Sequence, residues 1–144
     1  MKRDVMILTG AGQIGMAIAR RMGYGKKIVV GDKKRENAED IARIINNAGF
    51  DAVPVKMDLS SKESILSLIA EARQYGEISM LVNAAGVSPS QASIENILKV
   101  DLYGTAVLLE EVGRNAPRVA MSAHPGQRRL GALLHHVAQL ARQL

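Results

Sequence analysis

Two periods of apolar spacing alternate along the first 112 residues of the chain. Short apolar runs predict four β-strands, at residues 4–9, 27–32, 51–57 and 78–82. Between them, apolar residues recur every three or four positions and predict amphipathic helices, at residues 13–22, 34–48, from Ser60 or Ser61 through Ala72, and at 94–112. Such alternation predicts an α/β fold with a doubly wound parallel sheet covered on both faces. Pro54 places the third strand near an edge of that sheet.

The pattern and the charge both change near residue 113. Up to that residue, eight Lys and six Arg balance fourteen acids, whereas residues 114–144 carry five Arg, no Lys and no acid and so hold the whole net charge of +5. Residues 118–122 predict a fifth strand. Residues 127–144 carry an apolar stripe and predict a terminal helix that packs on the sheet. Docking on a membrane surface or in a partner's groove is the alternative for that helix.

Composition excludes several classes of protein and of site. The chain has no cysteine, which rules out disulfides, thiolate metal sites and cysteine nucleophiles. Lys2-Arg3 and the apolar residues behind them resemble a secretory signal, but Asp4 and three glycines interrupt the segment. No apolar run is long enough to span a bilayer, and five arginines without interleaved aromatic residues are a weak signal for nucleic acid. We therefore expect a soluble cytoplasmic protein that binds no membrane and no nucleic acid.

The segment between the first strand and the first helix has a glycine pattern typical of dinucleotide binding. Gly10, Gly12 and Gly15 follow the strand and open the helix with the spacing Gly-x-Gly-x-x-Gly. The first glycine permits a tight turn, the second lets a pyrophosphate approach the backbone, and the third lets the helix pack close to the strand. At Gln13 and Ile14, where the helix starts, unpaired amides and the positive end of the helix dipole favour an anion. The alternative is a turn whose glycines serve backbone geometry alone.

An acid ends the second strand where the ribose of a dinucleotide is bound. Asp32 lies seventeen residues after Gly15, close to the spacing of about twenty expected for a ribose-binding acid. Its carboxylate can accept charge-assisted hydrogen bonds from ribose hydroxyls and would repel a 2′-phosphate. The predicted cofactor is therefore NAD, with NADP less favoured. Lys33, Lys34 and Arg35 follow directly, and they either tolerate that phosphate or form the solvated start of a helix.

Four motifs in order resemble the short-chain dehydrogenase/reductase family over residues 1–112. They are the glycine segment TGAGQIG, the strand-ending Asp32, Asp58-Leu59 after the third strand and Asn83-Ala84-Ala85-Gly86 after the fourth. The resemblance implies a Rossmann-like sheet, here truncated to about five strands, and hydride transfer between a nicotinamide and an alcohol or carbonyl. It also implies that Asp58 binds the adenine amino group and that Leu59 lines the ring's pocket. By the same resemblance, four residues stabilise the sheet and pass beside the cofactor: Asn83, Ala84, Ala85 and Gly86.

The catalytic residues of that family have no counterpart in this sequence. The family uses a Tyr and, four residues later, a Lys on one face of the helix after the fifth strand, with a Ser just after that strand. Here the tyrosines stand at positions 24, 75 and 103, and no Lys lies four residues beyond any of them. Ser122 is near the place of that Ser but lacks its partners. The histidines at 124, 135 and 136 lack a spacing suited to a metal. We predict no catalytic residue and no metal site.

Two further features depart from the family's pattern. The glycine loop is one residue shorter than the family's commonest spacing, Thr-Gly-x-x-x-Gly-x-Gly. Asp101 stands where the family often has an Asn. Because an ionised acid cannot donate a side-chain hydrogen bond, the proton-relay role of that Asn is not carried over.

These observations divide the chain into a dinucleotide-binding domain, residues 1–112, and an atypical basic tail, residues 113–144. A reading-frame shift near Val112 in a longer dehydrogenase gene would produce such a tail; a short module with its own terminal helix is the rival hypothesis.

Two alternative functions follow from the sequence. The chain is a short-chain dehydrogenase-like protein that is catalytically incomplete as written, or a non-catalytic NAD(H)-binding module that acts through a partner protein. An exposed sheet edge predicts a homo-oligomer, and the substrate is not predicted.

Overall fold

The computed structural model describes residues 3–10, 12–87, 90–115 and 120–121 of the chain. Five β-strands lie within them: β1 (Asp4–Thr9), β2 (Lys27–Asp32), β3 (Asp51–Lys56), β4 (Glu77–Asn83) and β5 (Ala120–Met121). The α-helices are α1 (Gln13–Met22), α2 (Arg35–Asn47), α3 (Lys62–Tyr75), α4 (Ile94–Ile97) and α5 (Thr105–Asn115). A π-helical segment, Leu98–Gly104, joins α4 to α5.

The five strands form one parallel sheet in the order β3-β2-β1-β4-β5. The chain builds outward from β1 to β3, and α3 then carries it back across to β4 on the other side of β1. The strand order therefore reverses between β1 and β4, and in open α/β sheets ligands bind outside the carboxyl ends of the strands at such a point. The doubly wound α/β fold predicted from the sequence is confirmed.

Two hydrophobic cores form because successive side chains of each strand point to opposite faces of the sheet. In β1, Val5 and Ile7 pack with the apolar sides of α3 and α5, whereas Met6 and Leu8 pack with α1 and α2. All four side chains are fully buried. Both faces of the sheet are thus covered by helices, which explains why its strands read as nearly continuous apolar runs.

Local signals in the sequence fix several boundaries. Ser61 caps α3, because its hydroxyl oxygen accepts a hydrogen bond from the backbone N–H of Ser64 at 3.2 Å. Glu63 lies in the first turn of that helix, where the helix dipole favours an acid. Pro54 lies in β3, which is an edge strand as the sequence predicts.

The helix predicted over residues 94–112 is not a continuous α-helix. Its middle, Leu98–Gly104, has π-helical hydrogen bonding between α4 and α5. Here the helix approaches the end of β3 so closely that a Cβ at Gly104 would overlap the carbonyl oxygen of Leu59. Residues four apart share one side of either kind of helix, so the apolar spacing of this stretch does not distinguish them.

Several predictions fall on residues outside the described ranges. They are the basic tail beyond residue 121 with its terminal helix, Ser122 and the three histidines, and most of the predicted fifth strand. Within the described residues, no helix combines the length and the apolar character needed to cross a membrane.

Candidate functional site

A cleft of about 670 Å³ opens at the carboxyl ends of the central strands. Its walls come from the turns after β1, β2, β3 and β4, because parallel strands all end at the same edge of the sheet. Eight of the twelve residues predicted to bind a cofactor line it: Gly10, Gly12, Asp32, Asp58, Leu59, Ala84, Ala85 and Gly86. The fold thus brings together residues from four separate turns of the chain.

The glycine loop lies directly against the turn after β4. Gly10 has a φ of +88°, and a Cβ there would lie 2.6 Å from the backbone nitrogen of Ala85. Its N–H donates a hydrogen bond to the carbonyl oxygen of Gly31 at 2.8 Å. A Cβ at Gly15 would lie 2.9 Å from Leu8 Cδ1, so that glycine lets α1 pack against β1. These two glycines serve close packing of the protein with itself.

Gly12 differs from its two neighbours in the motif. A Cβ at this position would meet no described atom within 4 Å, and the residue lines the cleft. Gly12 is also the residue immediately before α1, whose first-turn N–H groups have no partner within the helix. Gln13 and Ile14 form the start of that turn but do not line the cleft, and their side chains are exposed. The open side of Gly12 therefore leaves room for an anion at the helix start.

The acid at the end of β2 is held by the turn that follows it. Asp32 Oδ1 accepts a hydrogen bond from the backbone N–H of Lys34 at 2.9 Å. Lys33, Lys34 and Asn37 line the same part of the cleft. This wall therefore offers one carboxylate together with two lysines and an amide, and it suits hydroxyl groups flanked by negative charge.

Asp58 is held in a tight turn after β3. Its Oδ1 accepts hydrogen bonds from the N–H and the hydroxyl of Ser60, at 2.9 and 2.7 Å. The hydroxyl of Ser60 is the main cause that holds the pKa of Asp58 below its ordinary value. Partial burial raises this pKa, and the Ser60 N–H and the charges of Lys33 and Lys56 lower it further. Asp58 is thus an ionised acceptor near neutral pH, beside the buried side chain of Leu59.

Asn83 lies beneath the cleft rather than in its lining. Its Oδ1 accepts a hydrogen bond from the hydroxyl of Thr9 at 2.5 Å, and its Nδ2 donates to Thr105 Oγ1 at 3.3 Å. The amide therefore joins the ends of β1 and β4 to the start of α5. The next residue, Ala84, donates its N–H to the carbonyl oxygen of Thr9 at 2.8 Å. This network fixes the strand ends that carry the glycine loop and the Ala84–Gly86 wall.

Asp101, the acid in place of the family's Asn, acts as an acceptor in the structure. Its Oδ1 accepts a hydrogen bond from the backbone N–H of Val87 at 3.0 Å. A Cβ at Gly86 would lie 3.2 Å from the same oxygen. The carboxylate thus supports the cleft wall from behind.

The sequence reasoning missed several residues of the lining, among them Asn37, Met57, Val87, Gln91, Asn96 and Val100. Met57 and Val87 follow strand ends, so the rule that ligands bind at the carboxyl edge could have found them. Gln91 lies in the irregular segment before α4, where the sequence carries no periodic signal. Among the described residues, no group of three or more acids and histidines could hold a metal ion.

A comparison with models of known protein families identifies the family of this chain. A family model described as short chain dehydrogenase matches residues 4–118. The chain belongs to the short-chain dehydrogenase family. The match extends a few residues beyond residue 112, the end of the range over which the sequence resembles the family.

Curated relatives agree with this membership. A short-chain dehydrogenase/reductase, bsc3, of Alternaria brassicicola is 32% identical over 114 residues, which cover 79% of this chain and 42% of that protein. The 7alpha-hydroxysteroid dehydrogenase of Bacteroides fragilis is 34% identical over 109 residues, covering 73% of this chain and 42% of its own length. The chain spans about half the length of the curated relatives it matches, or less.

Solved structures share the fold. The actinorhodin polyketide ketoreductase with NADPH gives a TM-score of 0.70 at 27% identity, over 78% of this chain and 47% of that one. A short-chain dehydrogenase/reductase from Burkholderia phymatum in complex with NAD gives a TM-score of 0.69 at 23% identity, over 80% and 44%. The fold of this family binds a nicotinamide cofactor, and these two structures hold different ones.

Proposed function

We propose that the chain binds NAD in the cleft and forms the cofactor-binding half of a short-chain oxidoreductase. The observation that carries the proposal is the open side of Gly12, which lies at the start of α1 within a cleft of about 670 Å³. Gly10 and Gly15 are closed in by the protein, so the free space above Gly12 is not a general property of the loop. A pyrophosphate at a helix N-terminus is the ligand for which such a position is suited.

Each predicted residue has a place in this proposal. The backbone of the glycine loop and the start of α1, with Gln13 and Ile14, hold the pyrophosphate. Asp32 binds the ribose hydroxyls of the adenosine, and Asp58 and Leu59 take the adenine. Ala84, Ala85 and Gly86 form the opposite wall, and Asn83 anchors it through Thr9 and Thr105.

The preference for NAD over NADP rests on Asp32. A carboxylate at the end of β2 repels a 2′-phosphate, whereas a ribose hydroxyl donates to it. Lys33 and Lys34 line the cleft beside it and reduce that repulsion. We therefore propose a preference for NAD that is moderate rather than absolute.

The family's reaction, hydride transfer between a nicotinamide and an alcohol or carbonyl, needs an acid/base that we do not assign to this chain. Tyr75 donates its hydroxyl to Glu71 on α3, and Tyr24 is exposed after α1. Neither these two nor Tyr103 lines the cleft among the described residues. We propose that the chain as written binds the cofactor without turnover; the alternative is a non-catalytic NAD(H)-binding module that acts through a partner protein.

Calorimetric titration with NADH and NADPH tests the binding proposal. We expect NADH to bind more tightly, and Asp32→Ala to weaken NADH binding about tenfold or more, since charge-assisted hydrogen bonds are lost. Asp40→Ala, which removes an exposed acid of α2 outside the cleft, is the matched control for the change in charge. If neither NADH nor NADPH gave binding heat, the binding proposal would be overturned. Tighter binding of NADPH than of NADH would overturn the proposed preference for NAD.

A second measurement separates the two functional alternatives. Incubation with NAD and a panel of alcohols is expected to give no NADH from the purified chain. Sustained NADH production would contradict catalytic incompleteness. A stable complex with a second protein that forms only when NAD(H) is present would favour the partner-dependent module.

We also propose that the chain forms a homo-oligomer. Three apolar side chains four residues apart, Ile94, Leu98 and Leu102, are 78, 43 and 40% exposed along α4 and the π-helical segment. Exposed apolar residues in a continuous line are typical of protein–protein contacts. A second copy of the same chain is the simplest partner that could cover this stripe.

A further inference from the structure

Two serines hold Asp58, and a third caps the helix that follows. Ser60 donates both its N–H and its hydroxyl to Asp58 Oδ1, at 2.9 and 2.7 Å. Ser64 Oγ accepts the backbone N–H of Asp58 at 2.8 Å, and Ser61 Oγ accepts the N–H of Ser64 at 3.2 Å. Ser60, which precedes α3, therefore holds the side chain of Asp58, and Ser64, in the first turn of α3, holds its backbone.

The two carboxylate oxygens of Asp58 differ in their surroundings. Both hydrogen bonds from Ser60 converge on Oδ1, and within the described part of the chain no hydrogen bond is formed by Oδ2. Two donors on one oxygen restrict rotation of the carboxylate about its Cβ–Cγ bond. Asp58 lines the cleft, and of its two carboxylate oxygens Oδ2 is the one left to accept from a ligand.

The protonation state of Asp58 sharpens this restriction. Hydrogen bonds from Ser60 lower the pKa of the carboxyl group, and the charges of Lys33 and Lys56 act in the same direction. An ionised carboxylate has no proton to donate. The group can therefore only accept.

We infer that Ser60 is a positioning residue that fixes Asp58 as a one-directional acceptor and so selects a purine with an exocyclic amino group, as in adenine, over a 6-oxo purine such as hypoxanthine. This inference rests on the proposed function, in which Asp58 lies against the purine of the dinucleotide.

The chemistry of the two bases explains the selection. Adenine carries an amino donor at C6, whereas hypoxanthine carries an oxygen acceptor at C6 and a donor on the neighbouring N1. A carboxylate free to rotate could move from the first position to the second and accept from N1–H. A carboxylate held by Ser60 cannot follow, and it is left facing the oxygen, so that two acceptors meet without a donor between them. Loss of the serine hydroxyl should therefore reduce discrimination rather than abolish binding.

Titration with NADH and with reduced nicotinamide hypoxanthine dinucleotide tests the inference on the intact chain. We expect the protein to prefer NADH by about tenfold or more, because unpaired acceptors are costly. Ser60→Ala is expected to bring the two affinities to within about threefold of one another, and Ser60→Thr, which keeps the hydroxyl, to restore the preference. An unchanged ratio of affinities in Ser60→Ala would overturn the inference.

Two further variants keep the test decisive. Ser61→Ala removes the cap of α3 without touching the carboxylate, so it should lower the melting temperature and leave the ratio of affinities intact. Asp58→Asn supplies an amide donor and should shift the ratio toward the hypoxanthine dinucleotide; a ratio that stays in favour of NADH would count against the inference even if Ser60→Ala did not fold. Failure of the unaltered chain to bind NADH would refute the proposed function itself.

Discussion

Asp51, at the first residue of β3, lies between two cations at the end of the sheet opposite the cleft. Its Oδ1 is 2.6 Å from Lys27 Nζ and its Oδ2 is 2.5 Å from Arg3 Nη1. Lys27 Nζ also lies 5.0 Å from the centre of the Tyr75 ring. The hydrogen bond from Lys27 is the main cause that lowers the pKa of Asp51 below its ordinary value of 3.8, with Arg3 adding to it against the effect of burial.

The lowered pKa predicts how stability depends on pH. A carboxyl group with a depressed pKa in the folded state stabilises the fold above its unfolded pKa, and this contribution is lost as the pH falls through the folded pKa. Asp51→Asn should therefore lower the free energy of unfolding by roughly 1 kcal/mol at pH 7, a modest figure because the carboxylate is 39% exposed and screened by water. Urea unfolding at pH 7, 5, 4 and 3 measures the difference.

The difference between the two proteins should shrink below about pH 4. Asp40→Asn, which breaks an exposed pair with Arg43 on α2, is the control and should change stability by less than about 1 kcal/mol. A constant difference for Asp51→Asn down to pH 3 would show that the carboxylate does not act through its charge.

Gly12 and Gly10 are expected to respond in opposite ways to the same substitution. A methyl group at Gly12 would meet open space within the cleft, whereas at Gly10 it would lie 2.6 Å from the backbone of Ala85 with φ at +88°. Gly12→Ala should therefore change the free energy of unfolding by less than about 1 kcal/mol and weaken NADH binding about tenfold or more, since the methyl takes the space of the pyrophosphate. Chemical unfolding and calorimetry measure the two effects separately.

Gly10→Ala is the companion variant. It should destabilise the fold by about 1–3 kcal/mol or more through backbone strain alone. If Gly12→Ala were to bind NADH as well as the unaltered chain does, no diphosphate would lie against that residue. Equal stability of the two variants would contradict the packing of the glycine loop against the turn after β4.

Sequence could predict which types of residue surround the cleft but not how each is oriented. The positions of Asp32 and Asp58 follow from the ends of two strands, which the apolar pattern locates to within one residue. The hold of Ser60 on Asp58 could not be predicted, because it depends on side-chain torsions within a turn. The motif predicts a cofactor contact at Gln13 and Ile14, yet neither residue lines the cleft and both are exposed.

Along the outer edge of β3, the backbone groups are protected at successive positions. Met57, which follows the strand, donates its N–H to the carbonyl oxygen of Asp32 on β2. The backbone N–H and C=O groups of the odd-numbered residues of β3 therefore point toward β2, and those of the even-numbered residues point outward. The outward N–H of Ala52 donates to Asn46 Oδ1 at 2.6 Å, and its carbonyl oxygen accepts from Asn46 Nδ2 at 3.0 Å. Pro54, the next outward residue, has no N–H. The side chain of Asn46, which belongs to α2, thus takes the place of a neighbouring strand at Ala52.

This arrangement predicts that Asn46 limits association through the sheet edge. Asn46→Ala should lower the free energy of unfolding by about 1–2 kcal/mol, because both backbone groups of Ala52 lose a partner. Asn46→Ala combined with Pro54→Val should form thioflavin-binding aggregates faster than either single variant, because an unprotected edge can accept another strand. The rate of thioflavin fluorescence increase is the measurement.

Asn47→Ala is the matched control, since Asn47 is the next residue of α2 and is exposed. It should leave both the stability and the aggregation rate within error. Equal aggregation rates for the double variant and for the unaltered chain would contradict a protective role of this edge.

At the scale of whole elements, local and distant causes separate what sequence can predict. The start of α3 was predictable because Ser61 and Glu63 act within a single turn. The π-helical segment was not, since it faces Leu59, which is some forty residues away along the chain, at a point where Gly104 permits contact. Apolar spacing reports the buried side of an element, not the hydrogen-bond register within it.

For the molecule as a whole, the alternation of strands and helices was enough to predict the class of fold. The edge position of β3 was predictable from Pro54. The order of the other strands was not predicted, because right-handed crossovers fix the face on which each helix lies and not the order by themselves. Charge at this scale divides the chain into a neutral part and a basic tail. The surface that meets a partner is harder to predict, because a helix packed on one side and apolar on the other looks the same in sequence as a buried helix.

The stripe formed by Ile94, Leu98 and Leu102 gives a test of self-association. In the folded monomer these side chains would stay in contact with water, whereas pairing with a second copy would bury them. We therefore expect sedimentation velocity to show a species of at least twice the monomer mass at micromolar concentration. Leu98→Lys should shift the distribution toward monomer, because a charge buried in an apolar contact is costly.

Leu66 provides the control for that substitution, because it is a leucine of α3 with 39% exposure that lies outside the stripe. Leu66→Lys should leave the sedimentation profile unchanged while altering charge and apolar surface to the same extent. A monomeric profile for the unaltered chain at every concentration would refute the homo-oligomer. A contact through α4 and the π-helical segment includes Leu98 and excludes Leu66, so it predicts unequal responses to the two variants. Equal responses would therefore place the contact elsewhere on the molecule.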